Sequence, residues 1–209
     1  MTDPEGPEED IHMPLAMADE ARPAPAAAED PAPAAPPARP FGPENAALAA
    51  LGTIKPVRRV RPLHALADRI WLNYAEEADV VATVQPGAGG TGFILQLEER
   101  DTSPWFSLFW DIDLATVQGG RYIGLLTTIR SPGFLCYRPC LRLLMPEGEM
   151  RDIFPREYVV SSGGEAEQLS MMRIDPALAA QAVGAQMQVF FQNDSFIAEI
   201  RSVETVLVA

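Results

Sequence analysis

Residues 105–114 read WFSLFWDIDL and alternate strictly: Phe106, Leu108, Trp110, Ile112 and Leu114 fall on one face, with Trp105, Ser107, Phe109, Asp111 and Asp113 on the other. A period of two sustained over ten residues predicts a strand with one face in a core. Residues 134–145, FLCYRPCLRLLM, repeat the pattern. Leu135, Tyr137, Leu141, Leu143 and Met145 share one face, and Cys136, Arg138, Cys140 and Arg142 point the opposite way. Outward from these two segments, β-like runs bounded by Gly, Pro, Ser or Asp occur at 79–84, 92–98, 121–130, 153–160, 166–173, 187–191 and 196–208. So many short runs with turn chemistry between them predict an all-β sandwich or barrel rather than alternating βα units. One helical interruption is signalled: Asp175 as N-cap, Pro176 at the first helical position, helix formers over 177–183 and Gly184 to close it.

The N-terminal part reads differently. Residues 1–43 hold 11 of the 20 prolines, carry a net charge of −7 and contain one aromatic residue, Phe41. Such a stretch cannot bury enough apolar area to offset the entropy of ordering it, which predicts a disordered tail over 1–43. Residues 44–78 read as a linker, with an alanine-rich piece, a basic cluster (Lys55, Arg58, Arg59, Arg61) and then Leu63, Leu66, Ala67, Ile70, Trp71 and Tyr74 at helix-compatible spacing. That spacing predicts a short amphipathic helix over 63–76, with a strand at 70–74 as the competing reading. The folded domain is expected over 79–209, and the 166 residues after the tail carry only −6 of the total −13.

The tail, the eight or nine strands and the closing pair MQVFFQNDSFIAEIRSVETVLV (187–208) resemble the jelly-roll β-sandwich of galactose-binding-like and carbohydrate-binding modules. The resemblance covers roughly 79–209 and includes no diagnostic residue motif. It implies an antiparallel jelly-roll-like sandwich with one or two short helices, acting as a binding module in which a sugar stacks on exposed aromatics.

Residue chemistry excludes much else. Gly87-Ala-Gly89-Gly-Thr-Gly92 is formally G-x-G-x-x-G, but Gln85-Pro86 precede it and an alternating segment, FILQLEER, follows where a dinucleotide site needs a helix. A hairpin loop is the simpler reading, with an enzyme site near Gly87–Gly92 the third functional alternative. Cys136 and Cys140 on a strand stand about 13 Å apart, too far for a disulfide, and read as reduced structural thiols. His64 is the only histidine in the folded part, and no G-x-S-x-G or H-x-x-x-H spacing occurs, so no catalytic or cofactor site is assigned. Asp111 and Asp113, with Glu98, Glu99 and Asp101 nearby, form the candidate Ca2+ or paired-carboxylate group; solvated acidic side chains are the competing reading.

Four basic residues in an acidic chain without interleaved aromatics argue against nucleic acid. No apolar run reaches the ~18 residues of a spanning helix, and the acidic start MTDPEGPEED lacks a secretory pattern, so no membrane insertion and a cytoplasmic location are expected. A single lysine against 15 arginines suggests a bacterial origin.

The function expected is a non-enzymatic β-sandwich that recognises a glycan or a protein partner through one sheet face. Trp105, Phe109, Tyr122, Arg138 and Arg142 are the candidate ligand-binding residues, since alternation sets them opposite the apolar positions of their strands. The alternative is a structural or assembly protein that forms a homo-oligomer through the sandwich.

Overall fold

The computed structural model describes residues 40–101 and 103–208. Its ten strands are β1 (His64–Ala67), β2 (Ile70–Tyr74), β3 (Asp79–Pro86), β4 (Phe93–Asp101), β5 (Phe106–Ile112), β6 (Tyr122–Leu144), β7 (Met150–Ile153), β8 (Val159–Arg173), β9 (Gly184–Phe191) and β10 (Phe196–Val208). Three short helices join them: α1 (Gly42–Ala50), α2 (Leu114–Gln118) and α3 (Pro176–Gln181). All strand pairs are antiparallel, in the order β1-β2-β5-β9-β6-β10-β4-β3, with β7 and β8 also on β6.

The expected all-β sandwich is built around one strand. β6 has 23 residues and would span roughly 75 Å if straight, far more than a small domain allows. It folds over at Ser131-Pro132-Gly133, where the register against β8 shifts between Ser131 and Phe134. The first half pairs with β10 and the second with β9. The two halves meet face to face in the interior, where the Thr127 and Tyr137 hydroxyls hydrogen-bond at 2.7 Å. A front sheet (β1-β2-β5-β9 and the second half of β6, then β7) thus packs on a back sheet (β3-β4-β10 and the first half of β6), and β8 accompanies both halves of β6. The runs expected as separate strands at 121–130 and 134–145 are therefore one element.

The alternation holds through the bend. Ile123, Leu125, Ile129, Leu135, Tyr137, Leu141 and Leu143 are all buried. In β5, Phe106, Leu108, Trp110 and Ile112 join the same core, at roughly 1.5–3 kcal/mol of transfer free energy for each large side chain. Pro139 lies mid-strand without an orphaned partner: β8 pairs with β6 up to Tyr137 and β7 begins at Leu141. No neighbour on that side therefore lacks a bond to the missing N–H.

Three expectations for residues 1–78 are corrected. The tail expected over 1–43 lies outside the described residues up to position 39, but its last residues belong to the fold: Phe41 is buried and Gly42-Pro43 open α1. The helix expected over 63–76 is the β1–β2 hairpin, with Ile70, Leu72 and Tyr74 buried by period two and Leu63 62% exposed. The 44–78 linker is part of the core, since Leu48, Leu51 and Val60 are buried in it. Within it, Val57 exchanges two backbone hydrogen bonds with Val84 on β3, and Val60 N–H donates to Ala82 O. The basic cluster is thus the exposed side of a segment that covers a sheet edge.

The run at 153–160 is not a strand either. Residues 154–158 form a loop where the chain passes from β7 to β8 across the gap at Pro139. α3 begins as expected, with Asp175 accepting from Ala177 and Leu178 N–H, but it ends at Gln181 and Gly184 opens β9. The glycine-rich loop is the β3–β4 hairpin turn; Gly92 has φ +64° and a Cβ there would run into the Ile200 carbonyl. Among the described residues no helix is long and apolar enough to cross a membrane.

Candidate functional site

The core claims one side of each front-sheet strand, and the register aligns the other side in three rows. The first is Trp71, Phe109, Gln188 and Cys140; the second is Asn73, Ser107, Phe190 and Arg138; the third is Asp111, Gln186, Arg142 and Asp152. Trp71 stacks on Phe109 with ring centroids 5.1 Å apart and planes 20° apart, so Phe109 is nearly covered and Trp71 forms the half-buried platform. Beside it, Gln188 Nε2 donates to Gln186 Oε1 along β9, and Gln186 Nε2 donates across to Asp111 Oδ1 on β5.

The arginines are engaged in two different ways. Arg142 makes a bidentate pair with Asp152 (2.7 and 2.8 Å), and those bonds hold its pKa above the ordinary guanidinium value. Its guanidinium also lies 6.0 Å from the Phe190 ring centre. Arg138 donates from Nη2 to Pro155 O, and its guanidinium carbon lies 4.5 Å from the Phe154 centroid and 4.9 Å from that of Tyr158. It thereby anchors the 154–158 loop on the sheet by a hydrogen bond and two cation–π contacts. Phe154 and Tyr158 stay 37% and 51% exposed.

The structure brings together three of the five expected ligand residues, Phe109, Arg138 and Arg142. Trp105 precedes β5, where it is half-buried against the core. Tyr122 is in the first half of β6, on the outer side of the back sheet, and borders a groove of about 730 Å3 between the 154–158 loop and β8 residues 168–173. Trp71, Gln186, Gln188, Phe190, Phe154 and Tyr158 complete the face and were not anticipated. The alternation of GAQMQVFF contained the signal for three of them, since Ala185, Met187, Val189 and Phe191 are buried.

The carboxylate group expected around Asp111 and Asp113 is dispersed. The strand ends at Ile112, and Asp113 is the N-cap of α2, accepting from Thr116 N–H (2.8 Å) and Oγ1 (2.6 Å). These bonds hold its carboxyl below the usual range. Asp111 faces Arg69 at 3.5 Å, and Glu98, Glu99 and Asp101 are on β4 in the other sheet. Among the described residues no group of three or more His, Cys, Asp or Glu could hold a metal ion. Cys136 and Cys140 are both free, and burial raises both thiol pKa values.

The fold is similar to that of carbohydrate-binding modules. One is the CBM22-1 xylan-binding domain from Paenibacillus barcinonensis, at 9% identity and TM-score 0.45, covering 66% of this chain and 85% of that one. A second is the family 11 module from Clostridium thermocellum in complex with a β-1,3-1,4-mixed-linked tetrasaccharide, at 11% identity and TM-score 0.46, covering 72% and 95%. A third is the CBM22-1–GH10 pair of a Clostridium thermocellum xylanase complexed with xylohexaose, at 11% identity and TM-score 0.48, covering 68% and 26%. No protein-family model matches the chain, and neither does any curated protein.

The face itself combines an aromatic platform with planar groups that both donate and accept hydrogen bonds. Such a surface suits a ligand with flat apolar faces and hydroxyls at its rim. Asp111 and Asp152 each lie against an arginine, so neither is placed as one of two free carboxylates for acid–base work.

Proposed function

We propose that this protein is a non-enzymatic binding module that takes a glycan on the outer face of the front sheet. The observation that carries the reading is the Trp71–Phe109 stack beside the Gln188–Gln186–Asp111 chain. A pyranose ring presents C–H groups on its faces and hydroxyls at its edge; the indole takes the first, and the half-buried Gln186 amide and Asp111 carboxylate, backed by the buried Gln188, take the second. Arg138 is a positioning residue in this reading, setting Phe154 and Tyr158 at the end of the face. The two unpaired cysteines fit a reducing compartment, in line with a cytoplasmic location.

The test is calorimetric titration with xylohexaose and a mixed-linked β-1,3-1,4 tetrasaccharide as probes, alongside the tryptophan fluorescence of the same samples. Binding with a change in Trp71 emission is expected. Absence of heat and of any emission change with both probes, and with a wider panel of neutral oligosaccharides, would remove the glycan reading.

A further inference from the structure

The sheets end in several strand edges, and most are closed. β1 has four residues and a register break between Ala65 and Ala67, and β7 also has only four residues. β3 is covered by the 54–60 segment through Val57 and Val60. β10 runs on past the start of β4, and there the Asn45 side chain replaces a neighbouring strand: Nδ2 donates to Thr205 O at 3.0 Å and Oδ1 accepts from Thr205 N–H at 2.8 Å. Short strands, bulges and covering segments are the usual protections of an edge.

β8 has none of these over 165–173. It pairs with β6 on one side only, in unbroken register from Glu165 to Arg173, and among the described residues no strand lies along the other side. The nine residues EAEQLSMMR include no proline and no lysine. Their outer side carries Glu165, Glu167, Leu169, Met171 and Arg173, with Leu169 57% exposed. The groove of about 730 Å3 runs beside 168–173, with the 154–158 loop as its opposite wall.

We propose that the β8 edges of two copies pair antiparallel about a two-fold axis through Leu169, joining the two back sheets into one. Charge complementarity selects both the partner and the register. With the axis at Leu169, each Glu165 stands opposite Arg173 of the second copy, Glu167 opposite Met171, and Leu169 opposite itself. An axis at Glu167 sets two carboxylates face to face. An axis at Ser170 turns Glu165 toward the acidic cap Asp175. Glu165 also pairs with Arg201 of its own chain, on β10 beyond β6, so Arg173 of the second copy shares this carboxylate with Arg201.

The experiment is light scattering on the full chain across a dilution series, with substitutions on the solvent side of β8 and circular dichroism to confirm folding. The unsubstituted chain is expected to be a dimer. Glu165→Arg and Arg173→Glu should each weaken it about tenfold, a change equivalent to ~1.4 kcal/mol, and the double exchange E165R/R173E should restore it. In a Cys136→Ser background, Leu169→Cys should cross-link to a covalent dimer on mild oxidation, since the two-fold brings the two Cβ atoms to ~5 Å. Ile197→Cys, on β10 away from the seam, should not. A chain that stays monomeric at every concentration overturns the proposal, as does a dimer indifferent to the charge exchange and to Leu169→Cys. A monomer that instead takes an added extended peptide on this edge overturns it equally.

Discussion

The outer faces of the two sheets share β6 yet are dressed in opposite ways. The front face gathers Trp71, Phe109 and Phe190 with side-chain amides and an Arg142–Asp152 pair whose side chains are largely buried. The back face carries a network of Arg130–Glu199 at 3.9 Å, Arg201–Glu199 at 3.5 Å and a close Arg201–Glu165 pair, with arginines more exposed than Arg142. The interiors impose the same demand on both sheets, so the difference arises wholly from positions that the core leaves free. A solvated network adds little to stability, whereas the aromatic stack and the bidentate arginine pair of the front face are the groups on which the proposed glycan contact rests.

Substitutions can break or sharpen this contrast. Trp71→Ala should weaken binding of the oligosaccharide probes about 30-fold, the loss of a ~2 kcal/mol hot spot, while Ile197→Ala on the back sheet leaves the titration unchanged. Tyr137→Phe removes the hydroxyl joining the two halves of β6 and should cost about 1–1.5 kcal/mol in denaturant titration, with no effect on either face. Asp113→Ala removes the α2 cap and should cost about 1 kcal/mol near neutral pH. Its carboxyl pKa is lowered by Thr116, so this contribution is complete above the unfolded value of about 3.9 and is lost as the pH falls through the folded one. Wild-type and Asp113→Ala stabilities should therefore converge in acid. Arg130→Ala, at the 3.9 Å back-face pair, should change stability by no more than about 0.5 kcal/mol.

What was legible in the sequence follows from how far each signal exceeds its alternatives. In WFSLFWDIDL and FLCYRPCLRLLM the alternation is long enough to identify the core side, in the second through a proline, and Asp175-Pro176 marks a helix start that nothing else imitates. Residues 63–74 fail for a physical reason. Trp71 is a large apolar residue on the outer face, so it masks the period of Ile70, Leu72 and Tyr74 and restores helix-like spacing. The two-residue turn between Ala67 and Ile70 is Asp68-Arg69, where Arg69 takes φ +60° in place of the glycine or asparagine that would announce a hairpin. The site was half legible because Phe109, Arg138 and Arg142 lie on the two clearest strands. Phe154 and Tyr158 could not be placed, since their loop exists only because pairing lapses at Pro139, which depends on the whole sheet.

The bend in β6 also bears on how the molecule comes apart. A sandwich of two independent sheets can open one layer at a time, but here the strand and its companion β8 belong to both, so neither layer has a boundary at which to separate. Unfolding should be a single transition, and the paired amides of 123–130 and 135–144 should exchange with solvent only through global opening, more slowly than those of β1 or β7.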